Sequence, residues 1–460
     1  MQKYPLLTHA GRGDVVAWRH GRPVTVAAFL ADVRRLARAL PAGGHVFNAC
    51  ADRYRFTVAL AAALVSGKAS LLPPSHSAET VRQMKQFAPD VFCIVDKPSA
   101  MDLPIVMYED EEQPPQPDAE DEAGEVPLVP ADQILAYAFT SGSTGAPVAH
   151  RKTWGQMVLA VRAEAAVLAL PRDAGPANFV ASVPPQHMYG IESSVLLTLQ
   201  SGAALSSAHP FYPADVCSAL AEVPRPRVLV TTPVHLRTLL LAGIDMPDVD
   251  LVLSATAPLS PELAVAAEAA FGAPLQEIYG ATETGQIASR RSTQTREWSL
   301  MPGIALSRRD ERFFANGGHV DPDTPLADLL ELLPGGRFLL LGRIGDLVNI
   351  AGKRNSLAYL NHQLLGIEGV VDGVFFMPAI EAPDAATRLC AFAVAPRMTA
   401  AAVKGALRER IDAVFMPRPL VLVPELPRDR NGKITRATLD ALIDRHLHAG
   451  HAGEEAQHEA

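Results

Sequence analysis

Long apolar runs are scarce in this chain. The longest, Val58–Val65, falls far short of the roughly 20 residues a membrane-spanning helix needs. Arg12 and Asp14 arrive soon after Met1 and leave no room for a leader's apolar core, so a cytoplasmic protein is expected. Cysteine is scarce too. Cys50, Cys93, Cys217 and Cys390 stand far apart, with no CxxC pair and no zinc spacing, and read as buried reduced thiols. Basic charge is not in excess: 41 Lys and Arg face 50 Asp and Glu, for a net charge of −9. Nine of the acids fall between Glu109 and Glu125 with no base among them, and without that stretch 41 acids balance 41 bases. A near-neutral body offers no broad basic face for nucleic acid. The acidic stretch itself reads as a solvated, proline-containing loop.

Three common catalytic signatures are also missing. A Walker A loop needs GxxxxGK[ST], but Gly352-Lys353 has Leu347 at the first glycine position and Gly432-Lys433 has Pro427. The dinucleotide pattern GxGxxG fails at Val16 after Gly11-Arg12-Gly13, and no GxSxG nucleophile elbow occurs. P-loop NTPases, dehydrogenases and α/β-hydrolases are therefore disfavoured.

What remains is a globular chain of 460 residues, 48% hydrophobic, too long for one ordinary core. Residues 24–40 carry apolar positions at helical spacing, 56–66 read as a buried helix and 69–73 as a short strand. Trp154, Met157, Val158, Val161, Ala165 and Leu168 mark another helix, and Pro261–Phe271 a further one. Strands are expected at Ile134–Phe139, Arg227–Thr231, Leu251–Ser254, Gln276–Tyr279 and Arg337–Leu341. Short apolar strands alternating with helices predict an α/β body with mostly parallel sheets. The last hundred or so residues carry their own pattern, with strands at Gly373–Met377, Cys390–Val394 and Leu420–Val423 and a helix at Ala400–Val414.

Four local signals carry chemistry. Thr140-Ser141-Gly142-Ser143-Thr144-Gly145 is rich in small and hydroxylated residues, so successive backbone N–H groups can converge on an anion. Expected between a strand and a helix, it suits phosphate oxygens. Tyr279-Gly280-Ala281-Thr282-Glu283, at a strand end, combines an aromatic for a purine, a hydroxyl for a phosphate and a carboxylate for Mg²⁺. Gly342-Arg343-Ile344-Gly345-Asp346 and Asn431-Gly432-Lys433 follow. Alone, each is compatible with an ordinary turn or a surface lysine.

In this order and spacing the four signals resemble the adenylate-forming superfamily: acyl-CoA synthetases, aryl-acid ligases, nonribosomal adenylation domains and luciferases. The resemblance runs from about residue 10 to residue 445. It implies an α/β fold with a large layered N-terminal domain, residues 1–343, and a small mobile α+β C-terminal lid, residues 344–460. It implies ATP and Mg²⁺, a small carboxylic acid as substrate, and the thiol of CoA or of a carrier protein's phosphopantetheine as acceptor, supplied in trans. The resemblance places Thr140, Ser141, Gly142, Ser143, Thr144 and Gly145 on the ATP phosphates and Ala257 and Pro258 on the adenine side. Tyr279 and Gly280 begin the motif whose tyrosine stacks on adenine; Thr282 contacts the α-phosphate and Glu283 binds Mg²⁺. Asp328 matches the aspartate that holds the ribose, although Leu326-Ala327-Asp328 departs from the family's TGD. Arg343 lies near the ribose, Gly345 is the hinge, and Lys433 bridges the acid and the α-phosphate.

The departures matter as much. The family loop continues Pro-Lys-Gly, whereas Pro147 is followed here by Val148-Ala149-His150-Arg151-Lys152. Either Arg151 or Lys152 supplies the charge from the first helical turn, the long lysine stem favouring Lys152, or the charge is lost. The string from Thr140 to Trp154, with Gln186-His187-Met188-Tyr189-Gly190, resembles the short ligases of aryl-polyene and xanthomonadin-type pigment pathways, which implies a hydroxybenzoate- or hydroxycinnamate-like acid. His187, Tyr189 and Gly190 are the expected acid pocket, with Thr231, Thr232 and His235 as weaker candidates. The pocket segment lacks the aspartate of amino-acid adenylation domains. Met188 stands where salicylate-type ligases carry asparagine, against a 2-hydroxybenzoate. A fatty acid ligase, a luciferase-like oxidoreductase and a non-catalytic acyl or nucleotide binder are the competing readings. Pyrophosphate release across a panel of acids discriminates them.

Overall fold

The computed structural model describes residues 2–73, 75–110, 125–141, 147–168, 175–310, 312–343, 347–350, 353–377, 389–428, 434 and 436–448. Two sheets form the body. The first has six strands in the order Pro147–Thr153, Ile134–Ser141, Ala69–Leu72, His45–Asn48, Phe92–Val95, Ile105–Met107. They run parallel except for the Pro147–Thr153 edge, which folds back antiparallel on its neighbour. The second has eleven strands, with a parallel run at its centre: Leu275–Ala281, Leu251–Ser254, Arg227–Thr231, Asn178–Ala181, Ala204–Ser206 and Val15–Arg19. Antiparallel strands extend it at both ends.

Two helices lie between the sheets and explain an oddity of the sequence. Arg53–Val65 contacts strands of both sheets and is buried along almost its entire length. Trp154–Val167 also contacts strands of both sheets, with Leu159 and Ala166 left exposed. The first of these helices has no solvated face, so its apolar residues do not fall on one stripe. Both helices start on side-chain caps that offset the unpaired amides of a first turn: Asp52 accepts from the Arg55 N–H, and Thr153 with Gln156 forms a capping box.

From Val348 onward the apolar side chains cluster among themselves. A three-stranded sheet, Asp372–Phe376, Cys390–Val394 and Leu420–Leu422, packs against helices Leu357–Leu365 and Ala400–Arg408. Among the described residues no helix is long and apolar enough to cross a membrane.

Four expectations need correction. The described residues on either side of residues 142–146, Ser141 and Pro147, belong to two antiparallel strands, where a strand followed by a helix was expected. Arg151 and Lys152 lie on the Pro147–Thr153 strand, one turn earlier than expected, because Thr153 caps the helix. The helix at Ala400 ends at Arg408, and a separate short turn, Ala413–Phe415, starts on the Asp412 side chain. Cys50, Cys93 and Cys390 are buried, but Cys217 is only partly so. Of the acidic stretch, residues 111–124 lie outside the described residues; Asp110 at its start is held by Arg19 and Arg55.

Candidate active site

Parallel strands deliver their C-terminal ends to one edge of a sheet, and ligands bind in the crevice there. In the second sheet that edge gathers four segments: Ser182–His187 after Asn178–Ala181, Thr231-Thr232 after Arg227–Thr231, Thr256–Pro258 after Leu251–Ser254, and Gly280–Glu283 at the end of Leu275–Ala281. These are the segments that carry the pocket, adenine-side and YGxTE expectations. Thr256 has φ of +79°, a conformation strained for a β-branched residue, just before Ala257 and Pro258.

On the nucleotide side the Tyr279 hydroxyl donates to Asp328 Oδ2 at 2.7 Å. Its ring packs 5.5 Å from Trp298 and 5.5 Å from Phe338. Asp328 stands opposite Arg343 in the register of their strand pair. Three expected nucleotide residues thus come from one sheet, the Tyr279 strand being separated from the Asp328–Arg343 pair by two strands in the sheet order. Gly280 is required by close approach: a Cβ there would meet the Gly285 carbonyl oxygen at 2.2 Å.

On the phosphate side the two sheets meet. The Thr140 hydroxyl and His150 Nε2 share a hydrogen bond of 2.9 Å, and His150 Nε2 lies 3.7 Å from Glu283 Oε1. Burial pushes the His150 pKa down, so the ring is a neutral neighbour near pH 7. Glu283 is exposed, and Thr282 half-buried beside it. Lys152 is only 7% exposed, and its ammonium donates to the Glu283 backbone oxygen at 2.9 Å. Burial lowers the Lys152 pKa, and Glu192, then Glu283 and Asp321, work against that. The lysine expected on the phosphates is engaged inside the body, holding the Glu283 turn.

On the acid side His187 precedes the short helix Met188–Gly190, which runs into the π-helix Ile191–Leu196. Gly190 is packed so closely that a Cβ would lie 1.9 Å from the Pro184 carbonyl oxygen. Tyr189 is buried. Ser182 Oγ bonds both Thr231 Oγ1 and His235 Nδ1 at 2.9 Å, so these weaker candidates form one network. Arg53, fully buried, donates to Ser194 Oγ at 2.6 Å and to the carbonyls of Ala181 and Val183 at 2.9 and 2.7 Å. Burial lowers its pKa to about 9.

Gly142, Ser143, Thr144, Gly145, Gly345 and Lys433 lie outside the described residues, and Ser141 and Arg343 are placed by backbone alone. Arg53, Glu164, Glu192, Gln286 and His319 were not singled out from the sequence. Their one signal is a charged or polar residue inside an otherwise apolar window, most plainly Arg53 ahead of Val58–Val65. Among the described residues no group of three or more His, Cys, Asp or Glu is placed to hold a metal. Glu283 is the exposed carboxylate beside Thr282; Mg²⁺ ordinarily uses one or two carboxylates with substrate phosphates, so a single such group suits it.

Known proteins resemble this chain in sequence and in fold. The profile of the family described as AMP-binding enzyme matches residues 8–308. A 4-coumarate–CoA ligase of Rhodobacter capsulatus is 30% identical over 310 residues, covering 66% of this chain and 75% of that protein. A 2-hydroxy-7-methoxy-5-methyl-1-naphthoate–CoA ligase of Streptomyces carzinostaticus is 25% identical over 362 residues, covering 68% of this chain and 63% of that one. Among solved structures, the o-succinylbenzoate CoA synthetase of Bacillus subtilis with its acyl-adenylate intermediate superposes with a TM-score of 0.79 at 16% identity, covering 95% of this chain and 98% of that one. ATP-bound MatB from Rhodopseudomonas palustris gives 0.78 at 18% identity, covering 95% and 97%. At these identities the two structures speak for the fold.

Proposed function

The chain belongs to the AMP-binding enzyme family, and from that membership we propose its reaction: ATP-dependent activation of a carboxylic acid, followed by transfer to a thiol. It is an AMP-forming acid–thiol ligase. The acid's carboxylate oxygen attacks the α-phosphorus, the bond to the bridging oxygen breaks, and pyrophosphate leaves. A thiol then attacks the acyl carbon of the mixed anhydride, loses its proton, and AMP departs. CoA is the acceptor the relatives' names support; a carrier-protein phosphopantetheine is the alternative.

The observation that carries this reading is the convergence at one sheet edge. Tyr279 and Asp328, joined at 2.7 Å, take the adenosine end. Thr282 and Glu283 stand between that end and Thr140 of the phosphate loop, and His187 with Tyr189 begins the short helix that follows the parallel strand Asn178–Ala181 of the same sheet. Glu283 would hold Mg²⁺, which neutralises phosphate charge when bound. Two anions must meet in the first step, so positioning and positive charge are what the protein has to supply. Lys152 serves by fixing the Glu283 turn, Arg343 by its charge near the ribose, and Lys433 by bridging the acid and the α-phosphate. Residues 1–343 act as the binding body and 344–460 as the lid that presents Lys433. The acid is aryl, of the hydroxybenzoate or hydroxycinnamate kind, which the coumarate and naphthoate ligases among the relatives support; the cytoplasmic, pigment-type setting rests on the resemblance of the Thr140–Trp154 and Gln186–Gly190 strings alone.

Pyrophosphate release with ATP, Mg²⁺ and a panel of aryl and fatty acids tests the proposal. Turnover of 4-hydroxybenzoate or 4-hydroxycinnamate, and not of fatty acids, is expected. Turnover of fatty acids alone would overturn the aryl reading. Silence across the panel would favour a non-catalytic binder, the alternative that the missing loop lysine motivates.

A further inference from the structure

The Pro147–Thr153 strand brings a second polar side chain beside Lys152 to the phosphate side, and the two reaction steps leave it without a role. Pairing with Ile134–Ser141 sets Val148 opposite Thr140, His150 opposite Ala138 and Lys152 opposite Ala136. Opposed residues share a face of a sheet, and side chains two apart return to it, so Thr140, Val148, His150 and Lys152 lie on one side. Ala136 belongs to the apolar core shared by both sheets, and Lys152 reaches Glu283, so that side is turned toward the second sheet. Ala149 and Arg151 fall on the other side, with Tyr137 and Phe139.

The strand carries four polar side chains, and three are placed elsewhere or already engaged. Thr153 caps the helix Trp154–Val167 through its hydroxyl. Arg151 faces away. Lys152 is 7% exposed, donates to the Glu283 backbone oxygen, and lies beside Glu192, whose carboxyl is raised by burial to about 7 with Lys152 opposing the rise. Its charge is engaged inside the body. Val148 is exposed but brings no polar atom to the Thr140 face. His150 remains. Its side chain is 18% exposed, so a ligand can reach it. Its Nε2 shares the 2.9 Å hydrogen bond with the Thr140 hydroxyl and stands 3.7 Å from Glu283 Oε1. The longer distance is beyond a hydrogen bond, so this ring does not occupy the Glu283 carboxylate. The hydroxyl and the ring nitrogen meet at one point, and both can turn a hydrogen from each other onto an arriving anionic oxygen.

We propose that His150 binds the β- and γ-phosphates of ATP, its Nε2–H donating to a phosphate oxygen beside the Thr140 hydroxyl. The proposal rests on the ATP-dependent ligase reading above. Direction decides which end of ATP the ring meets. Tyr279 and Asp328 take the adenosine end from within the second sheet, and Thr282 and Glu283 follow Tyr279 along the chain. His150 arrives from the first sheet, on the Glu283 side. A donor there lies beyond the α-phosphate, at the part of ATP that departs as pyrophosphate. A hydrogen bond to a charged oxygen is roughly twice as strong as one between neutral groups, so a single ring can matter to ATP affinity.

The test dialyses the full chain to equilibrium against ATP and, separately, against AMP, each with Mg²⁺. His150→Ala should raise the ATP dissociation constant about tenfold or more and leave that of AMP unchanged. His150→Gln, whose amide can place an N–H near the Nε2 position, should retain most of the ATP affinity. The native chain gives a second readout: the ring signal of His150, identified by its loss from the NMR spectrum of His150→Gln, should move with ATP and stay with AMP. ATP affinity untouched by His150→Ala, or ATP and AMP affinities that fall together in the folded variant, overturns the proposal. A ring signal that ignores ATP, or that answers AMP equally, does the same and decides the matter if the alanine variant fails to fold. ATP binding that depends on His150, with no pyrophosphate released from any acid, overturns the ligase reading and leaves this one standing. Ordinary pyrophosphate release with ATP affinity independent of His150 overturns this one alone; no binding of ATP overturns both.

Discussion

Glu164 has no exposed surface, and burial, first among the causes, raises its carboxyl from 4.5 to about 8. The unfolded chain releases that proton near pH 4.5 and the folded chain holds it to about 8, so unfolding releases a proton throughout that window. Stability is therefore fullest at the acid end and falls as pH rises. His319 acts oppositely, with a ring lowered from 6.5 to about 4, but its contribution is complete above pH 6.5. Between pH 6.5 and 8 the buried carboxyls act without it. The native chain should lose on the order of 1–2 kcal/mol across that interval, read as a falling urea midpoint. Glu164→Gln should show a visibly shallower fall; an unchanged slope would mean Glu164 is ionised in the folded state. Lys152 makes the complementary point. Along the chain it is one of two candidate phosphate ligands, and in the fold its ammonium donates to the Glu283 carbonyl.

Elements matter here chiefly for how they aim their ends. The π-helix Ile191–Leu196 is held by Arg53, whose guanidinium bridges Ser194 to the carbonyls of Ala181 and Val183 at the end of the neighbouring strand. Arg53→Leu would leave those buried carbonyls unpaired. A loss of about 2–4 kcal/mol in chemical unfolding is expected, together with a raised KM for the acid. A stability loss with an unaltered acid KM would show that the π-helix does not depend on Arg53 for its aim. The turn at Gly280–Gly285 offers a second test. Gly280→Ala sets a Cβ against the Gly285 oxygen, at 2.2 Å before any adjustment, and the turn must open. ATP turnover should fall about tenfold or more, the size of effect that small misplacements produce. Ordinary ATP kinetics in that variant would detach the turn from nucleotide binding.

At the scale of the whole molecule the C-terminal cluster touches the body through Arg237, whose Nη1 donates to the Val371 carbonyl at 3.1 Å. Burial, the first cause, lowers the Arg237 pKa, and Asp372 opposes it. In the proposed reaction the lid takes more than one pose and Lys433 acts in one of them. Lys433→Ala should abolish adenylation, measured as pyrophosphate release, while thiol transfer from supplied acyl-AMP persists. Equal loss in both steps would contradict a two-pose lid.

The linear chain alone determined the element types and the motif order. Largely apolar helices such as Arg53–Val65, strand runs such as Leu251–Ser254, and the hydroxyl-rich, YGxTE and Gly-Lys signals are all local patterns, and local periodicity records burial and backbone preference directly. Which of those residues meet is another matter. Tyr279 reaches Asp328, Lys152 reaches Glu283, and Glu164 faces Gln286 only because the strand order of two sheets brings distant segments side by side. Tertiary structure also decided the proton affinities of Glu164, Glu192 and Lys152. Desolvation depends on everything packed around a group, and its neighbours along the chain do not report it.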